Sequence, residues 1–98
     1  MASREPVVIL ARRAHAAGVV ISRTPKGPVA LEIPPGADAL AAELRHREQQ
    51  LGALFDWSHA TVAAPAPCLL CQRPAVLRDP ADRLPAHKVC VDQLLLRR

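Results

Sequence analysis

Tyrosine is absent from these 98 residues, phenylalanine and tryptophan occur once each, and only four glycines are present. Two rings make no platform for stacking single-stranded bases, a binding mode built on several aromatic side chains. The glycines do not cluster, so there is no phosphate-cradling loop, and neither a G-x-S-x-G elbow nor a paired-carboxylate arrangement occurs. Apolar runs are short as well. Residues 7–11 are halted by Arg12 and Arg13, which leaves neither a secretory h-region nor the roughly 20 apolar residues of a membrane span. A cytoplasmic protein with no membrane partner and no small-molecule substrate is expected. Lysine occurs twice against eleven arginines, and alanine is abundant. That bias is typical of a GC-rich bacterial genome or its mobile elements, and a bacterial phage or mobile-element source is expected.

Cysteine is scarce and odd in number, three in all, which excludes a closed disulfide framework; in a reducing compartment such residues are ligands or reactive thiols. All three fall in one array. Cys68 and Cys71 are followed by His87 and Cys90 in a C-x2-C-x15-H-x2-C pattern. Thiolate and imidazole are the donors that Zn2+ prefers, and two close pairs separated by a loop let one short segment wrap four ligands around an ion. One structural Zn2+ is therefore expected. Four protein ligands leave no open position for a catalytic water, and no Glu lies between the pairs, so no enzymatic activity is expected. For the same reasons zinc-dependent deamination is not expected, despite Pro67-Cys68-Leu69-Leu70-Cys71. A C-x2-C redox pair needs a thioredoxin-like βαβ setting, which is missing too. His15 on the first helix, His46 on the polar helix face and His59 at the linker read as solvated residues.

Gln72-Arg73-Pro74 supplies a turn after the first pair, and His87 and Cys90 share one side of the first turn of a helix beginning near Lys88. Residues 75–78 and 83–84 would form hairpin strands around Asp79-Pro80-Ala81-Asp82, with both Asp residues as turn formers. This layout is treble-clef-like; a zinc ribbon is the competing geometry.

Upstream, Pro6 can open a helix with Ser3 or Glu5 near its cap, and Val7, Leu10, Ala11 and Ala14 make its apolar stripe up to Gly18. Residues 19–23 and 29–33 read as two strands around Thr24-Pro25-Lys26-Gly27, with Val29, Leu31 and Ile33 on one face. After Pro34-Pro35-Gly36, Asp38 would cap a long helix to about Trp57, lined by Leu40, Leu44, Leu51, Leu54 and Phe55 and interrupted only at Arg47-Glu48. Residues 59–66, rich in Ala and Pro, have no periodicity and read as a linker. The expected fold class is α+β: an αββα module over residues 1–58 and a zinc-finger module over 67–98.

Ala14-His15-Ala16-Ala17-Gly18-Val19-Val20-Ile21, the Pro34-Pro35-Gly36 loop and the Leu40–Leu51 helix carry a resemblance to the N-terminal docking-domain fold of the TubC type. It covers about residues 5–57. The resemblance implies an interaction unit, often self-associating, whose exposed hairpin and helix face dock a protein partner. Similar units also occur on short proteins of phages and integrated elements. Here Pro25-Lys26-Gly27-Pro28 replaces the usual polar hairpin tip.

The first expectation is thus a non-enzymatic zinc-binding adaptor that docks a protein partner or a second copy through residues 5–57. A DNA-binding regulator is the alternative, with Arg73, Arg78, Arg83, Lys88, Arg97 and Arg98 as nucleic-acid contacts. Residues 61–98 hold six Lys/Arg against three Asp/Glu. A Zn2+ bound by three thiolates adds about one negative charge, leaving a net of about +2, too small to establish nucleic-acid binding. A thiol redox sensor, in which oxidation of Cys68 and Cys71 ejects the metal, is the third reading.

Overall fold

The computed structural model describes residues 5–25 and 29–95. Ser3, the Lys26-Gly27-Pro28 part of the expected turn, and Arg97 and Arg98 lie outside the described residues.

Helix α1 spans Val7–Ala16 and buries Val7, Leu10, Ala11 and Ala14, with Val8 added to the expected stripe. Its start differs from expectation. Pro6 is the N-cap and has no capping side chain of its own, and no Glu5 carboxylate takes that place. Instead the Val7 N–H donates across 2.6 Å to Oδ2 of Asp82, 75 residues further on. The end follows the sequence closely. Gly18 has φ +85°, its N–H donates to the His15 carbonyl (3.1 Å), and the Val19 N–H donates to the Ala14 carbonyl (2.9 Å). This is a Schellman motif, and it requires the left-handed residue that glycine supplies.

Strands β1 (Val20–Arg23) and β2 (Val29–Glu32) pair antiparallel, with Ile21 opposite Leu31. Ile21 and Val29 are buried, whereas Ala30 and Glu32 are exposed, so the hairpin turns one face to the helices. Pro34-Pro35-Gly36 then closes a turn in which the Ala37 N–H donates to the Pro34 carbonyl, with Gly36 at φ +90°. Proline followed by a left-handed glycine suits a type II turn.

The expected single long helix is two helices, α2 (Asp38–His46) and α3 (Glu48–Ala53). Asp38 lies in the first turn; Ala37 is the N-cap, without a side-chain cap. The break falls at Arg47 (φ −122°, ψ 29°), the point where the apolar stripe has its hole. Arg47 is drawn away from a helical surface position: Nε donates to Oε1 of Gln50 (2.6 Å), Nη1 to the Glu5 carbonyl, and Nη2 lies 3.7 Å from the Asp82 carboxylate. The stripe still meets the core on both sides of the break, since Leu44, Leu51, Leu54 and Phe55 are buried and Leu40 is partly so.

Residues 59–66, expected as a linker, are for most of their length part of a strand. Strand β3 (Thr61–Pro67) pairs antiparallel with β4 (Pro74–Arg78), and the register shifts between Val62 and Ala66. β3 is exposed along nearly its whole length, with Val62 at 71%. A strand with no buried face shows no alternation, which is why its sequence looks unstructured. Its prolines are tolerated because it lies at a sheet edge and is bulged. Arg78 fills the irregularity, donating to the carbonyls of Ala64 (2.6 Å) and Ala75 (3.1 Å).

Only one bridge, Arg78 with Pro85, represents the second expected hairpin strand, and helix α4 (Lys88–Asp92) follows. The architecture is α+β: helices, two small antiparallel sheets and a Cys3His group near the C-terminus consistent with a zinc-finger module. Its buried residues form one cluster in which Val7, Leu10, Leu44 and Leu51 are continuous with Cys68, Ala75, Ala86 and Val91. Among the described residues no helix is long and apolar enough to cross a membrane.

Candidate metal centre

The knuckle that bears Cys68 and Cys71 joins β3 to β4. The Cys68 N–H donates to the Arg73 carbonyl (2.9 Å) and the Gln72 N–H to the Cys68 carbonyl (3.0 Å), closing the turn with Gln72 at φ +69°. A left-handed non-glycine residue costs roughly 1–2 kcal/mol, which the surrounding turn must offset. The second pair sits on the opposite wall: His87 is the N-cap of α4, with extended backbone, and Cys90 lies in its first turn. The Sγ atoms of the three cysteines and a ring nitrogen of His87 all lie within 4.8 Å of one another. These four residues are close enough to bind one metal ion.

The imidazole is oriented for coordination. Nδ1 lies 3.3 Å from Cys71 Sγ and 3.8 Å from Cys90 Sγ, while Nε2 lies 3.0 Å from the Pro74 carbonyl. An Nε2–H donating to that carbonyl leaves the Nδ1 lone pair facing the thiols, the outer-shell arrangement of metal-bound histidines. The Pro74 carbonyl was not legible as a participant, because a backbone acceptor has no sequence signature.

The three sulfurs differ in environment. Cys68 is fully buried, Cys90 intermediate and Cys71 exposed. Burial works to raise the Cys68 pKa, but N–H donors from Cys71, His87 and Leu70 outweigh it and lower the value from 9.0 to about 6. Two of those bonds, from Leu70 and His87, measure 3.4 Å. Cys90 moves the other way, pushed up to about 11 by burial, by its hydrogen bond with Cys71 and by the charge of the other two sulfurs. In the metal-free fold Cys68 thus adds stability above its unfolded pKa that is lost as pH falls through about 6. Cys90 adds stability below its unfolded pKa that is lost as pH rises through about 11. A metal needs both as thiolates. Binding near neutral pH must therefore displace the Cys90 proton, and near pH 5 that of Cys68 as well. Calorimetry in buffers of different ionisation enthalpy should show at least one proton released per metal at pH 7.5 and more at pH 5, with affinity weakening as pH falls. A proton count that stays constant between those pH values would contradict this assignment.

Between the ligand pairs, Asp79 is the one buried charged residue among those described, 1% exposed. Oδ1 accepts from the N–H groups of Ala81 (2.9 Å) and Asp82 (2.6 Å), and Oδ2 from that of Leu84 (3.0 Å). It is a turn former, as its position after β4 suggested, but a buried one on which residues 79–84 depend. Asp79→Ala strands three donors; at about 1–3 kcal/mol for an unsatisfied group, relieved in part by water, we expect a loss of about 2–4 kcal/mol in urea unfolding. Asp79→Asn retains one acceptor oxygen and should lose less.

The other expected basic contacts are dispersed in role. Arg73 and Arg83 are exposed, Arg78 is committed to backbone carbonyls, and Lys88 Nζ pairs with Asp92 at 2.8 Å. His15, His46 and His59 are exposed and apart from the Cys3His group. No family model matches this chain, and no curated protein or solved structure shows significant similarity to it.

Proposed function

We propose that the chain is a non-enzymatic zinc-binding adaptor, in which a structural Zn2+ held by Cys68, Cys71, His87 and Cys90 orders the C-terminal half and residues 5–57 dock a protein partner or a second copy. The observation that carries this reading is the donor set: three sulfurs and one imidazole nitrogen within 4.8 Å of one another, with His87 Nε2 held 3.0 Å from the Pro74 carbonyl. Such a sulfur-rich set suits Zn2+. When bound, the ion supplies a cross-link between knuckle and helix, and with four protein ligands it has no vacant position for substrate.

For docking, the support lies in the αββα order and its exposed surfaces. Ala30 and Glu32, with Ser22 and Val20 opposite them, line the outer side of the hairpin, and Arg45, His46 and Gln49 are exposed on the helical side. A groove of about 410 Å³ opens beside Pro35, Gly36 and Leu40, flanked by the Arg13–Glu43 pair. The test has two parts. Elemental analysis of protein purified under reducing conditions should find one zinc per chain. Analytical ultracentrifugation, with residues 5–57 carrying or lacking charge reversals at Arg45 and Glu32, should show self-association that the reversals abolish, or a monomer that captures a host protein through the same face. Metal-free folded protein would overturn the zinc reading; a monomer with no captured partner would overturn the docking reading.

A further inference from the structure

Asp82 stands at a three-way junction between parts of the chain that are distant in sequence. Its Oδ2 accepts the Val7 N–H at 2.6 Å, the first donor of α1. The same oxygen lies 3.7 Å from Arg47 Nη2, in a pair whose side chains are only 20% and 14% exposed. Arg47 in turn donates through Nη1 to the Glu5 carbonyl, immediately ahead of α1. One carboxylate from the loop between the ligand pairs therefore caps the first helix and fixes the residue at which α2 gives way to α3. Helix N-termini leave their first N–H groups without intrahelical partners and favour a negative charge, so a capping carboxylate stabilises α1.

What holds Asp82 in place is the metal-bearing segment. Its own N–H is tied to Asp79. Downstream, the Ala86 N–H donates to the Leu77 carbonyl (3.2 Å), the Pro85 carbonyl accepts from the Leu69 N–H in the knuckle (3.0 Å), and the His87 N–H points at Cys68 Sγ. The downstream end of the loop is thus fastened to the knuckle and to β4, where the bridge at Pro85 joins it, and within the loop Asp79 holds residues 81–84 through its carboxylate and backbone.

We infer that Asp82 transmits the ordering effect of the metal centre to helix α1, so that the N-terminal αββα half reaches full order only when the ligand-bearing loop is in place. The inference rests on the metal reading of the Cys3His group, and it makes the docking half of the chain metal-responsive without any contact between metal and docking surface.

Hydrogen exchange on the full chain tests it, comparing wild type, Asp82→Ala and Asp82→Asn with Zn2+ bound and after chelation, with zinc stoichiometry measured by native mass spectrometry on the same samples. In the wild type, chelation should speed exchange in the first turn of α1 by about fivefold or more, the scale of a lost N-cap. Zinc-loaded Asp82→Ala should already show that speed while still binding one zinc, and chelation should add little there. Asp82→Asn, which keeps an acceptor oxygen for Val7 but loses the charge facing Arg47, should fall between and guards against a variant that fails to fold. Unchanged α1 protection on chelating the wild type would overturn the inference while leaving the zinc reading intact. So would an Asp82→Ala protein that responds to chelation as the wild type does, because transmission would then run through the shared core. Absence of bound zinc in the reduced wild type would overturn both and is distinguished by the mass measurement itself.

Discussion

Cys68→Ser is expected to abolish zinc retention and to unfold residues 61–95, a larger effect than that of any surface substitution in the chain. Three roles converge on this sulfur. It is one of the four residues close enough to bind one metal ion, it is fully buried in the common core, and it accepts backbone N–H groups that hold the knuckle in shape. Serine loses the ligand chemistry outright, since an alkoxide is not available near neutral pH. Binding of structural zinc contributes roughly 10–16 kcal/mol to small metal domains, against a total stability of about 5–15 kcal/mol for a natural domain. The remaining contacts of β3, β4 and α4 cannot replace it: β3 is exposed, and α4 has only five residues. Circular dichroism should retain the signal of α1 to α3 in part and lose that of the hairpin and α4. Mass spectrometry should find no bound zinc. Retention of one zinc by the variant would exclude Cys68 as a ligand.

Leu51→Asp is expected to collapse the helical half. Leu51 is fully buried in the cluster that contains Leu10, Leu44 and Leu54, all at 1% exposure or less. An ionised carboxylate there has no partner, and the variant also forfeits the leucine's own burial, so a loss of about 4 kcal/mol or more is expected, enough to unfold a small domain at room temperature. Gln49→Asp is the control: Gln49 is exposed two residues away on the same helix, and its substitution should change stability by less than about 0.5 kcal/mol. Thermal melts followed at 222 nm separate the two. Equal melting temperatures for wild type and Leu51→Asp would contradict the burial of this helix face.

Where the chain carries a strong local signal, sequence and structure agree. The 3.6-residue stripe placed α1 and its buried residues, Gly18 marked the helix end, and the alternation of Val29, Leu31 and Ile33 marked β2. The ligand array was legible because its chemistry is written in four side chains at fixed spacing. Three features were not, each for a physical reason. The edge strand β3 buries no face and so has no period. The break at Arg47 shows in the sequence only as a hole in the stripe, because the partners that hold it, Glu5 and Asp82, come from elsewhere in the chain. The cap on α1 lies 75 residues away, and nothing local announces it. Asp82 read as a turn former from its neighbours alone; its longer reach emerges only from the tertiary arrangement.

The central claim, that these four residues hold one structural zinc, is tested most directly by X-ray absorption at the zinc edge on stoichiometrically loaded, reduced protein. The account predicts a four-coordinate ion with three sulfur ligands at about 2.3 Å and one nitrogen at about 2.0–2.1 Å, and no exchangeable water. A shell containing oxygen, fewer than three sulfurs, or a chain that folds fully with no metal at all would contradict it.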